Sequence, residues 1–183
     1  MAARPSLNGQ SGGQAAAALR ATAPPLWGAL IILPRDRTKP GRLELRDRIG
    51  MLVFSCQCLG RSAGIFDAVT GRVRRDRLAY RGDTPLGDYA PTFVTTLAKP
   101  ITGIGRLWVG LDPIAGEALA AEQAGRRGLG IHGGRGETLR PTHGCIRLKD
   151  SDMAGLAAAA GRNRFSVRIV AAADLNAAAG GKA

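Results

Sequence analysis

Short runs of alternating apolar and polar residues recur along the chain, and they point to strands more than to long helices. GRLELRDR (residues 41–48) sets Leu43 and Leu45 between charged residues, the period-two pattern of a strand with one buried face. MLVFSCQC (51–58) follows after a turn at Ile49-Gly50, so the two runs predict a hairpin. Further strands are predicted at TFVTTL (92–97), RLWVGL (106–111), LGIH (129–132) and FSVRIV (165–170). The apolar run LWGALIIL (26–33) is too short to span a bilayer. It reads as a buried first strand and not as the core of a secretion signal, because it begins late and Pro34-Arg35-Asp36 stands where a small-residue cleavage site is expected. Helices are predicted at AGEALAAEQAGRR (115–127) and SDMAGLAAAAG (151–161), the second with Asp150 or Ser151 available as N-cap and Gly161 near its end. Many short strands with few helices predict a mainly β domain, a sandwich or a barrel.

The ends break this pattern. Residues 1–25, rich in Ala, Gly, Ser, Gln and Pro, show no sustained amphipathic period and are expected to form a flexible leader; residues 171–183 are expected to form a flexible tail. One domain over residues 26–170 remains, large enough for a real hydrophobic core. No transmembrane helix is evident. The formal charge of +12, from 26 basic and 14 acidic residues, makes anionic polymers or membranes candidate partners, but an arginine-rich surface selected for nothing specific is an equal reading. A nucleic-acid-binding function is not expected, since the chain shows neither aromatic interleaving of its basic runs nor a recognition motif. RVRRDR (72–77) reads as an exposed charged loop.

The chemistry concentrates in one segment. The chain has two histidines, His132 in GIHGGRG and His143 in PTHGCIRL, and Cys145 follows the second by two positions. If residues 143–148 run extended, His143, Cys145 and Arg147 share one face while Ile146 and Leu148 point into the core. A thiol beside an imidazole and a guanidinium is expected to have a lowered pKa and to act as a nucleophile. Gly133, Gly134, Gly136 and Gly144 allow close backbone approach to a substrate. Cys56 and Cys58 miss the usual two-residue gap of zinc ligands; at least one is expected to be a buried structural thiol, and no disulfide between them is expected. A zinc site drawing on these cysteines together with His132, His143 and Cys145 is the minor alternative.

At these residues the sequence resembles the L,D-transpeptidase catalytic domain, or YkuD, family: IHGG, then THGCIRL, with GDTPLGDY (82–89) similar to the Thr-Pro-x-Gly-aromatic strand entry upstream. Turn chemistry at Pro85 and Gly87 accounts for the last of these by itself. The resemblance covers roughly residues 40–170, and the stretch from His132 to Thr142 is shorter than is usual in the family. It implies a β-sandwich of the YkuD type with one or two short helices near the site. It implies an enzyme in which Cys145 is the nucleophile and His132 the base. Gly133 would orient an imidazole through its carbonyl, and Gly144 and His143 would help form the oxyanion site. Arg147 would hold a substrate carboxylate or brace the loop, and Thr142 would contact substrate. The implied reaction forms a thioester on peptidoglycan stem peptides with release of D-alanine, then passes the acyl group to an amine; water as acceptor would give an L,D-carboxypeptidase, and loss of turnover a peptidoglycan-binding module. No metal or organic cofactor is implied. The implied location is the periplasm or cell-wall side, although the chain carries no clear signal peptide.

Overall fold

The clearest hydrophobic alternation in the chain builds the centre of its larger sheet. In the computed structural model, which describes residues 27–173, β1 (Trp27–Leu33) lies parallel to β12 (Phe165–Ala171) with Ala29 opposite Val167 and Ile31 opposite Ile169. On β12, Phe165, Val167 and Ile169 are buried while Ser166 and Arg168 face out. Each such apolar side chain removed from water contributes about 1.5–3 kcal/mol, which is why this register holds against a one-residue slip. The leader expected at residues 1–25 lies outside the described residues, as does the expected tail from residue 174 on. Ala171 itself closes β12.

On the outer side of β1 the predicted hairpin is present, β2 (Gly41–Arg46) antiparallel to β3 (Leu52–Cys58). Its turn is held by the Asp47 carboxylate, which accepts the N–H groups of Ile49 at 3.0 Å and Met51 at 2.9 Å, with Gly50 at φ +83°. Cys56 and Cys58 share the inward face of β3 with Phe54. Both are free thiols; burial pushes Cys56 up to about 12 and raises Cys58 further, so these are structural groups. On the other side of β12 come β6 (Gly87–Thr92) and β9 (Pro113–Ala115), giving a six-stranded sheet in the order β3-β2-β1-β12-β6-β9.

A second sheet packs against the first and carries the segment of interest. Its four strands run β11-β10-β8-β7, with β7 Thr95–Ile101, β8 Gly105–Gly110, β10 Gly130–His132 and β11 Ile146–Arg147. Val109, Ile131 and Ile146 from this sheet join Ile31, Leu43, Leu45 and Phe165 from the other in one core, so the architecture is a β-sandwich and not a closed barrel. Helix α1 (Gly116–Gln123) follows β9, and α2 (Asp150–Ala160) buries Met153, Leu156 and Ala160 against the core. Gly155 of α2 lies directly on the Phe54 ring: a Cβ there would fall 2.7 Å from it.

Four local expectations need correction or completion. TFVTTL is not one strand, because β6 ends at Thr92 and β7 begins at Thr95, and the chain changes sheets at Phe93-Val94. GDTPLGDY is more than the turn that its residue types explain by themselves, since Gly87–Tyr89 enters β6 as the resemblance implies. The charged run at 72–77 is not an exposed loop throughout: Arg72–Arg74 is exposed but forms β5 of a small ribbon with β4 (Ile65–Asp67), and Arg75 and Arg77 are half-buried. Finally, α2 is capped by Lys149 without a side-chain bond, while Asp150 is the first helical residue and serves the loop before it.

Candidate active site

Two chain segments meet at the second sheet's edge. β10 and β11 run parallel with Ile131 opposite Ile146 and His132 opposite Arg147, so His132 and Arg147 leave the sheet on the same side. The far side of the β11 segment is clamped by the chain leaving β3. Leu59 and Arg147 exchange both backbone hydrogen bonds at 2.9 Å, and the Thr142 carbonyl accepts the Ala63 N–H at 2.9 Å. Cys145 is thus held between two fixed pieces of backbone. It lines a cleft of about 370 Å³ together with His132, His143, Thr142, Arg147 and Trp108.

The cysteine loop is not extended as expected. Residues 143–145 bend, and the strand starts only at Ile146. Gly144 at φ +109° makes the bend: a Cβ there would meet the Arg126 guanidinium at 2.0 Å and the Gly82 carbonyl at 2.6 Å. The Thr142 hydroxyl ties the bend together, accepting the Gly144 N–H at 2.9 Å and donating to the Cys145 carbonyl at 2.8 Å. That hydroxyl is therefore spent inside the loop, where the sequence suggested substrate contact. It also removes the Gly144 N–H as an oxyanion donor; the Cys145 N–H is tied to no described residue. His143 is exposed at the cleft mouth.

His132 is buried, at 4% exposure, and stacks on Trp108, its partner across β8, at 5.6 Å between centroids. The indole fits because residue 130 is glycine, whose absent Cβ would sit 2.2 Å from the ring. The Nδ1 atom lies 3.0 Å from the Gly133 carbonyl, which also accepts an N–H from Arg147 Nη1. A carbonyl that receives both donors fixes the Nδ1–H tautomer and leaves Nε2 as the proton acceptor. Burial foremost, and then the Arg147 charge 3.3 Å from Nδ1, lower the imidazole pKa to about 4. It is neutral at pH 7.

Arg147 is a brace. Nη1 donates to Gly103 at 2.9 Å and to Gly133, which pins the loop before β8 to the loop after β10, and no carboxylate pairs with it among the described residues. The Asp150 carboxylate holds the same loop from below, accepting the N–H groups of Gly134 and of Gly136, the latter at 2.9 Å. Arg126, which the sequence reading did not single out, lies buried under Gly144. It donates to the carbonyls of Gly82 at 2.7 Å and Asp83 at 2.9 Å, and to that of Arg77, while Thr84 Oγ1 donates to the Gly144 carbonyl at 2.9 Å. Nothing local marks Arg126 in an arginine-rich chain, and Trp108 likewise acquires its place only through strand pairing.

The thiol is not an ionised resting nucleophile, contrary to the expectation from its charged neighbours. Burial raises the Cys145 pKa, and the Gly130 N–H, Arg126 and Arg147 only partly offset it. Its Sγ lies 3.7 Å from the Gly128 carbonyl, a weak S–H contact. The pair at rest is a neutral thiol and a neutral imidazole. No cluster of three or more His, Cys, Asp or Glu side chains is placed to hold a metal among the described residues.

The model of the L,D-transpeptidase catalytic domain, YkuD, matches residues 59–169, from the Leu59 clamp to the end of the core face of β12. This chain belongs to the YkuD family. The match spans both faces of the Cys145 segment, the Gly82–Thr84 turn and α2, so the YkuD region contains every group described above. Two solved structures of the helical cell shape determining protein Pgp2 from Campylobacter jejuni, one of them a lysine-to-alanine mutant, are similar at 18% identity and a TM-score of 0.49. They cover 79% of this chain and 48% and 47% of theirs, so the chain spans about half the length of those structures. No curated protein matches the chain. No helix among the described residues is long and apolar enough to cross a membrane.

Proposed function

We propose that the cleft is an L,D-transpeptidase centre acting on peptidoglycan stem peptides outside the cytoplasmic membrane. The observation that supports this reading most directly is the neutral imidazole of His132, locked by Gly133 with Nε2 free, in the same cleft as Cys145. Because both groups rest uncharged, the thiol proton passes to His132 Nε2 as Sγ adds to the peptide carbonyl, and the imidazolium then protonates the departing D-alanine amine. Water exclusion raises the thiol pKa at rest, yet the buried charges of Arg126 and Arg147 favour the sulfur and oxygen anions that develop during attack. The Cys145 N–H supplies an oxyanion donor, worth on the order of 3 kcal/mol of barrier. An acceptor amine from a neighbouring stem resolves the thioester into a cross-link.

Incubation of the chain with tetrapeptide stems, followed by mass analysis, tests the reading. D-Alanine release, a covalent adduct at Cys145 and a cross-linked dimer are expected, all absent in Cys145→Ala. A folded chain that binds stems without releasing D-alanine refutes it, and release without dimer assigns water as the acceptor.

A further inference from the structure

Beyond the arginines at the Cys145 cleft, the chain gathers others around a separate opening. A second cavity of about 650 Å³ opens between the end of β1 and the entry to β6, and no residue lines both it and the cleft. Four arginines surround it: Arg35, Arg37, Arg75 and Arg77. Three carboxylates line it as well, each held in place by the fold. Asp76 accepts the Leu78 N–H at 3.0 Å, Asp83 accepts the Ser62 N–H at 2.7 Å, and Glu117 accepts the Leu86 N–H at 3.1 Å while pairing with Arg77 at 2.9 Å.

The other three guanidiniums have no ion pair among the described residues. Arg37 Nη1 and Arg75 Nε are buried donors with no hydrogen-bond partner among the described residues, as are the Nε atoms of Arg61, Arg81 and Arg147, which do not line this cavity. A buried N–H of a charged group left unmet is destabilising, and such groups are rare in a settled fold unless something else meets them. Burial foremost, and then the like charge of Arg77, push the Arg37 pKa down, while the Asp83 and Glu117 carboxylates oppose them. Guanidinium forks match the paired oxygens of carboxylate and phosphate groups. The volume lies in the range of small-molecule sites and exceeds what a lone ion needs, and Pro34 and Leu86 add apolar wall.

We propose that this cavity is a second binding site, separate from the Cys145 cleft, for an oxyanion group, phosphate or carboxylate, carried on a ligand of sugar or short-peptide size. It stands independently of the transpeptidase reading.

The test is isothermal titration of the full chain at low ionic strength with inorganic pyrophosphate and, separately, with citrate. The tighter of the two assigns the group. Saturable one-site binding is expected, weakened at least tenfold by Arg37→Gln and by Arg75→Gln, and unchanged in Arg162→Gln, which removes the same charge from an exposed site. Binding is also retained in Cys145→Ala. In the wild-type chain the Arg37 and Arg75 Nε–H resonances shift with the same midpoint, a readout that holds even where a variant does not fold. Absence of saturable binding to both probes, equal weakening by Arg162→Gln, or loss of binding in Cys145→Ala overturns the proposal.

Discussion

Replacing Arg147 with methionine separates a brace from a substrate clamp. The substitution keeps most of the apolar stem but deletes the Nη1 bonds to the carbonyls of Gly103 and Gly133 and removes a charge 3.3 Å from His132 Nδ1. A hydrogen bond from a charged donor contributes roughly 1.5–3 kcal/mol, and two such bonds are lost, so destabilisation of about 3 kcal/mol or more is expected. For a domain of this size that is a fall in Tm on the order of 10 °C. The second consequence is electrostatic. Arg147 is the second cause, after burial, of the low His132 pKa, so its removal moves that pKa upward from about 4. Activity requires neutral His132, so the acidic limb of the kcat/KM profile is expected near pH 4 in the wild type and at higher pH in Arg147→Met. Stem-peptide turnover measured from pH 3.5 to 8, beside NMR titration of the imidazole, reads both. An acidic limb that stays in place while KM rises would refute the brace and assign Arg147 to a substrate carboxylate.

Further outcomes follow from the same geometry. Gly130→Ala drives a methyl group into the Trp108 ring, so a loss of about 1–3 kcal/mol and a drop in kcat are expected, read by urea unfolding and turnover. Thr142→Val frees the Gly144 N–H and the Cys145 carbonyl together; kcat falls at least tenfold with KM little changed, and Thr142→Ser restores it. Because the folded His132 pKa of about 4 lies below the ordinary 6.5, the unfolded chain binds the extra proton between these values, so stability falls as pH drops from 6.5 to 4 and this contribution levels off below. The loss amounts to about 3 kcal/mol, and it should be absent in a folded His132→Gln variant measured by urea unfolding over the same range.

What the sequence disclosed depended on whether the information was local. Strands β2, β3, β8 and β12 were legible because alternation is a property of neighbouring residues, and β1 because its residues form a short continuous apolar run. The corner at Phe93-Val94 was not, because an apolar pair within a continuous run carries no mark of a change of sheet. Three-residue strands such as β4, β5 and β9 are too short to show a period. In the site, His132 and Cys145 stood out through rarity and chemistry, whereas Arg126 and Arg127 are indistinguishable in sequence although one is buried beneath the cysteine loop and the other exposed. The thiol's protonation state was misjudged for a related reason. Nearby charges can be counted along a chain, but the exclusion of water that outweighs them exists only once the chain has folded.

The parallel pairing of β1 with β12 sets the order in which this molecule can be made. Trp27 finds its place opposite Phe165, so the middle of the six-stranded sheet stays open during synthesis until almost the whole domain has left the ribosome. Contacts so distant in sequence slow folding and leave two apolar edges uncovered meanwhile. A nascent chain stalled before residue 165 would therefore be expected to recruit chaperones, and deleting β12 to forfeit the Cys145 cleft although no residue of that strand lines it.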